Sequence, residues 1–231
     1  MKIPTYLAMT AAEFSACPTL SHHTAWMACH FSSYGTALTN LPKSLPDNAL
    51  IIVNDRTPIC GHNSEQITVQ LSELIRQLHP QGILLDFQNT QSTELDVLAK
   101  NLVSELPCPV CLPEAYAQDL DCPVFVGAPP VYKPLSEHLS PWKGREIWLE
   151  AAMEAIQITV VQTGTDAVNI PYPTQKNGFF DDSLFCHYVT EVADDAIRFT
   201  LWRAKEDLEL LLETAAAFGV TRAVGLWQEL G

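Results

Sequence analysis

The sequence predicts an α/β fold in which a parallel sheet, closed into one barrel, carries its helices on the outside. Short apolar runs alternate along the chain with amphipathic helical patterns, the signature of parallel strands joined by crossover helices. A length of 231 residues suits one compact α/β barrel without requiring a second domain. Hydrophobic residues make up 47% of the chain and charged residues 17%, so a large buried core is expected and disorder is not.

In chain order the expected strands are Thr24–His30, Ala49–Asn54, Gly82–Phe87, Val110–Leu112, Val124–Val126, Glu146–Leu149, Gln157–Val161 and Ala223–Trp227. A helix from Glu65 to Leu78 puts Ile67, Leu71, Leu74, Ile75 and Leu78 on one stripe. Thr93 to Leu106 repeats the pattern with Leu95, Leu98, Leu102 and Leu106. Lys205 to Phe218 carries Leu208, Leu211, Leu212 and Ala215 before Gly219 stops it. From Thr163 to Leu201 the alternation weakens. There Tyr172–Gly178 reads as a turn centred on Asn177-Gly178, and Leu184–Val189 and Ile197–Leu201 are expected to pair as a hairpin. Ser140–Gly144 reads as a loop. With no repeat and no linker, residues 1–231 are expected to form a single domain.

A formal net charge of −14 disfavours nucleic acid or an anionic membrane as a partner, because both select a basic surface. No segment approaches the roughly 20 apolar residues of a membrane span. The stretch from Lys2 to Met9, with Glu13 soon after, is too short and polar for a signal peptide, so a cytoplasmic location is expected. Seven cysteines without regular spacing fit buried free thiols better than a disulfide framework. Cys108 and Cys111 form a CxxC pattern, yet a strand sends residues three apart to opposite faces, which argues against joint metal ligation. His22, His23 and His30 lack a further ligand at recognisable spacing, so no metal and no cofactor are expected. His187, Trp148 and Trp202 are read as structural. The absence of a Gly-rich phosphate loop and of a G-x-S-x-G elbow lowers nucleotide and serine-hydrolase readings.

The strand Gly82-Ile83-Leu84-Leu85-Asp86-Phe87-Gln88 carries the most chemistry. Asp86 and Gln88 are two residues apart, so a strand points both side chains the same way. Polar groups at the C-terminal end of a barrel strand lie where barrel active sites are built. The bland alternatives are a rim carboxylate holding loop amides for Asp86 and a satisfied core amide for Gln88. Glu114 and Glu150 each follow an expected strand, and with Glu154 and Asp55 they are candidates to converge on the mouth as a carboxylate pair.

This strand resembles the catalytic strand of glycoside hydrolase family 18, which reads Asp-Gly-x-Asp-x-Asp-x-Glu. Its motif positions fall here on Gln81, Gly82, Leu84, Asp86 and Gln88. The C-terminal run from Phe199 to Gly231 is similar to the end of these barrels, especially the branch of bacterial spore peptidoglycan hydrolases, where a strand ending in Trp closes the barrel. Trp227 stands at that position, and an aromatic face packs on the apolar face of a sugar ring. Val110–Pro113, Asp121–Pro130 and Glu146–Met153 resemble intervening strands more weakly, and the N-terminal third looks shortened.

The resemblance implies a (β/α)8 barrel, with Asp86, Gln88 and Trp227 as carbohydrate-binding residues. It also implies that the catalytic acid is missing. The family's Glu falls on Gln88, and its Tyr and Asp of a later strand fall on Ala128 and Pro129. An amide has no proton to give, and losing a general acid forfeits about 10²–10⁴ in rate. The expected function is therefore binding of N-acetylglucosamine-type glycan with little or no hydrolysis. The alternatives are an active glycosidase using relocated carboxylates, Glu114 and Glu150, and a non-catalytic structural or protein-interaction scaffold.

Overall fold

The computed structural model describes residues 2–17, 23–57, 63–88, 91–173 and 178–231. The chain begins with strand β1 (Thr5–Met9) and helix α1 (Ala11–Ala16), followed by β2 (Thr24–Phe31), the two-residue β3 (Leu38–Thr39) and β4 (Leu50–Asn54). Strict strand–helix alternation follows: α2 (Ser64–Leu78), β5 (Gly82–Asp86), α3 (Thr93–Glu105), β6 (Val110–Pro113), α4 (Glu114–Ala117), β7 (Val124–Val126), α5 (Leu135–Leu139) and β8 (Ile147–Glu150). Five further strands come next: β9 (Ala155–Val161), β10 (Gly164–Asn169), β11 (Phe179–Asp181), β12 (Cys186–Val192) and β13 (Ala196–Trp202). The chain then returns through α6 (Lys205–Ala215), β14 (Val220–Leu226) and α7 (Trp227–Leu230).

Among the described residues, eight parallel strands close a barrel in the order β1-β2-β4-β5-β6-β7-β8-β14, with β1 paired to both β2 and β14. This is the (β/α)8 architecture that the sequence predicts. Strand alternation divides its apolar residues into two layers. Tyr6, Ala8, Ala25, Leu50, Ile52, Leu84, Cys111, Trp148 and Val224 form the inner cluster. Their neighbours in the strands, such as Ile51, Ile83, Leu85, Leu112 and Leu149, face outward and pack with the helix stripes of α2, α3 and α6.

Two expectations need correction. Gln157–Val161 is not a barrel strand: it belongs to β9, in a separate five-stranded antiparallel sheet of order β10-β9-β13-β12-β11 inserted between β8 and α6. Periodicity cannot tell a parallel from an antiparallel partner, which is why this run was indistinguishable from its neighbours. The missing barrel strand is instead Tyr6-Leu7-Ala8-Met9 with Thr5, in the N-terminal stretch that is not among the expected strands. The N-terminal third keeps all its strands and is reduced in its helices, since residues 32–49 between β2 and β4 contain β3 and turns but no helix. The expected hairpin exists as β12 and β13, paired from His187↔Trp202 to Val192↔Ile197. Of its preceding turn, residues 174–177 lie outside the described residues, as does His22.

Arg203 fastens the inserted sheet to the barrel. Its buried guanidinium donates from Nη1 to the Pro129 carbonyl at 2.6 Å, from Nε to Phe185 at 3.1 Å and from Nη2 to Leu184 at 3.0 Å. Beside it, Val131 is fully buried against Ile156, Cys186 and Leu201 of the inserted sheet. On the other face His187 stacks on Trp202 and its Nδ1 lies 2.9 Å from Asp207 Oδ2, joining the sheet to α6.

Candidate functional site

The inward alternation Leu84–Asp86 on β5 and Trp148–Glu150 on β8 carries both carboxylates to the C-terminal mouth of the barrel. Asp86 is half-buried, and its register partner on β4 is Asn54. The next residue, Asp55, is buried, and its Oδ1 accepts the backbone N–H of Gln88 at 2.9 Å. That bond ties the end of β5 to the end of β4 and fixes where Gln88 points.

Gln88 then turns back onto Asp86. Its Nε2 donates to both carboxylate oxygens, at 3.1 Å each. β5 ends at Asp86, two residues short of Gln88, yet the two side chains still meet. Burial pushes the Asp86 carboxyl above its ordinary range. The Gln88 hydrogen bond pulls it partly back, and the negative charges of Asp55 and Glu150 push it up again. The structure thus gathers Asp86, Asp55 and Glu150 into one electrostatic group beside Gln88.

The other candidate carboxylates have separate partners. Glu150 is exposed and its Oε2 accepts the N–H of Ala128 at 3.0 Å. Glu154 supports the β7 loop by accepting from Val131 N at 2.8 Å. Glu114 opens α4 and accepts the indole N–H of Trp142 at 2.6 Å; it is not among the groups that shift Asp86. Among the described residues no group of three or more His, Cys, Asp or Glu is arranged to hold a metal.

Trp227 is half-buried and packs against the core beneath it. It does not end the last strand: β14 stops at Leu226 and Trp227 is the first residue of α7. The neighbouring Gln228 amide donates to Glu13, so α7 and α1, which follow β14 and β1, are joined next to the indole. The residues aligned with the family's Tyr and Asp, Ala128 and Pro129, serve as backbone: Ala128 donates to Glu150 and Pro129 accepts from Arg203.

Cys108 and Cys111 are not part of the site. Cys111 faces the barrel interior, while Cys108, which precedes β6, packs on the outer core. Burial pushes the Cys108 thiol up to about 11, which keeps it protonated and unreactive at neutral pH. A cavity of about 770 Å³ lies away from the mouth, on the flank between β1 and α6, and includes Ile3, Leu7, Leu208 and Leu212. His23, Asp47, Lys205 and Glu209 also line it, but it lies away from the C-terminal strand ends where barrel sites are built.

Three features of the mouth escaped sequence reasoning. Arg203 carried a usable signal, a lone arginine directly after the apolar run Phe199–Trp202. Tyr34 and Tyr132, which are 83% and 52% exposed on the loops after β2 and β7, carried none, because a tyrosine in a loop is unremarkable as sequence.

No family model matches the sequence, and no curated protein matches it. Solved structures do. The chain aligns over 98% of its length with 95% of a chitinase-like agglutinin from Robinia pseudoacacia, at a TM-score of 0.61 and 11% identity. Similarity to a family 18 chitinase from Cycas revoluta, solved in complex with (GlcNAc)3, extends over 97% of this chain and 94% of that one, at a TM-score of 0.57 and 10% identity. The spore cortex-lytic enzyme SleL of Bacillus cereus matches 99% of this chain with 71% of its own, at a TM-score of 0.55 and 10% identity. At such identities the likeness concerns the fold. The chain has the (β/α)8 barrel fold of the glycoside hydrolase family 18 chitinases, the family that its Gly82–Gln88 strand and Trp227 resemble.

Proposed function

We propose that this protein binds N-acetylglucosamine-type glycan at the barrel mouth and does not cleave it efficiently. The observation that carries the reading is the state of Gln88. By the sequence resemblance it falls at the position of the family's acid, and its amide donates to both oxygens of Asp86. It has no proton to transfer, yet its carbonyl is suited to accept from a sugar hydroxyl or acetamido N–H. Trp227, after the strand on the opposite side of the barrel, supplies an aromatic face. The structural likeness to an agglutinin and to a chitinase holding (GlcNAc)3 supports the same ligand class. Exposure of Gln88 and Glu150 suits binding better than hydrolysis, which gains from water exclusion.

The test is chemical. Incubation of chito-oligosaccharides with the protein, followed by mass analysis, is expected to return intact sugar, whereas Gln88→Glu restores a carboxyl group at the acid position. Cleavage by the unaltered protein would overturn the reading. One observation favours a second reading: Asp86 is pushed upward while Glu150 stands in the same electrostatic group, a pairing suited to acid and base roles. That glycosidase would show a bell-shaped pH–rate profile and lose turnover in Glu150→Gln. Glu114 is a poorer candidate because Trp142 engages it.

A further inference from the structure

We propose that the groove of about 770 Å³ along the outer wall of β1 docks a basic amphipathic helix of a partner protein, an inference independent of the glycan reading. The outer wall of a (β/α)8 barrel is apolar, and helices between the strands cover it. α2, α3 and α6 do so here, with 15, 13 and 11 residues. On both sides of β1 that layer is thin. α1, which follows β1, has six residues and buries none of them, and α7, which follows β14, has four. Residues 32–49 add no helix after β2. The groove opens where the layer thins: Ile3 and Leu7 line it from the barrel wall, and Leu208 and Leu212 line it from α6.

Its dimensions suit a helix. Lys205 and Glu213, the ends of the α6 wall, are eight residues apart, so a second helix laid alongside has about 12 Å, or about eight residues, to occupy. Leu208 and Leu212, one turn apart, form a ridge for apolar residues at i, i+3 or i+4, and i+7 of that helix. The rim sets the charge of the partner. Asp47, Glu209 and Glu213 line the groove without an ion pair or hydrogen bond among the described residues. Of the two lysines beside them, Lys205 donates from Nζ to the Leu230 carbonyl at 2.6 Å, and Lys2 is exposed. His23 rests its ring against Tyr6, with centroids 5.0 Å apart. Lysines or arginines flanking the apolar stripe of a docked helix would pair with the three carboxylates. An acidic helix, or a second copy of a chain with a net charge of −14, would meet like charge.

The probe is a fluorescent leucine–lysine peptide of about 14 residues with leucine at i, i+3, i+4 and i+7. Its anisotropy is followed as the protein is added, beside a scrambled isomer of equal charge and an analogue with glutamate for lysine. The patterned peptide is expected to bind roughly 10-fold more tightly than the scrambled isomer, and the glutamate analogue is expected not to bind. Glu209→Lys combined with Glu213→Lys should weaken the patterned peptide by roughly 5- to 20-fold. Both residues are exposed on α6, so the fold is kept. Thr5→Trp, which fills the groove from the β1 side, should also weaken it. Absence of binding, equal affinity for patterned and scrambled peptides, or unchanged affinity in the charge-reversed variant would overturn the proposal. Saturable binding of dodecylamine without binding of the peptide would overturn it in favour of a small amphiphile. A dimer on size exclusion that the charge-reversed variant loses would overturn it in favour of a second copy.

Discussion

The two ends of this barrel are built from the same eight strands and have opposite characters. At the N-terminal end the inner layer is packed and sealed. The fully buried Trp148 lies over Gly82, the Arg222 guanidinium stacks on its ring at 4.4 Å, and its Nε1 donates to Glu146 Oε1 at 3.0 Å. Every polar atom named there has a partner. At the C-terminal end the same strands finish in Asp86, Glu150 and the Gln88 amide, a partly exposed group of like charges that burial makes costly. One end has traded polarity for packing. The other retains a carboxylate cluster in which Asp55 and Glu150 also hold backbone N–H groups of Gln88 and Ala128.

The comparison breaks most easily at the sealed end. Trp148→Ala empties the middle of the inner layer and strands the Arg222 charge, so a loss of about 3–5 kcal/mol is expected in denaturant unfolding. A loss under about 1 kcal/mol would show that the interior is less tightly filled than described. Gly82→Ala acts on the same contact from the other side. Its new Cβ would sit 2.7 Å from Trp148 Cη2 and 3.0 Å from the Pro109 carbonyl, and overpacking of this kind costs about 1–3 kcal/mol. Equal stability of variant and parent would place the indole elsewhere.

Changes at the mouth should register in binding and in pH dependence instead. Trp227→Ala is expected to weaken glycan binding by on the order of 1 kcal/mol while leaving the fold intact, as calorimetry and circular dichroism would report. The smallest effect is electrostatic. The folded-state pKa of Asp86 is raised above its ordinary value of 3.8, so the folded chain holds this proton to higher pH than the unfolded chain does. The group carries no penalty below its unfolded pKa, and stability falls as pH rises through the folded pKa. Asp86→Asn cannot ionise, so its stability relative to the parent should improve as pH rises from about 4 to 7. A difference that is flat or reversed over that range would contradict the assigned burial and charge environment.

How much of this was legible in the sequence follows from what local pattern encodes. The helix stripes and apolar strand cores were readable because each face is set by residues three, four or two positions apart. Trp148 was recognisable as core for the same reason. Thr5–Met9 was not, since five residues carry too little pattern by themselves and the strand's role depends on β14, more than 200 residues away. The insertion of β9–β13 was half legible: the β12–β13 hairpin follows from local turn chemistry, whereas its separation from the barrel depends on Arg203 and Val131. Within the site, the two-residue spacing put Asp86 and Gln88 on one expected strand face, but β5 ends at Asp86 and their hydrogen bonds form beyond the strand. The nearness of Asp55 and Glu150 to that pair is a property of closure, which brings β4 and β8 to one mouth and is not written in any window of sequence.

The most direct test of the account is titration of the unaltered protein with N-acetylglucosamine tetramer, with the recovered sugar weighed by mass spectrometry. Saturable binding that returns intact tetramer is the predicted result. Shorter products would assign Asp86 and Glu150 a catalytic role, and the absence of binding would leave the barrel without a carbohydrate function and favour a scaffold.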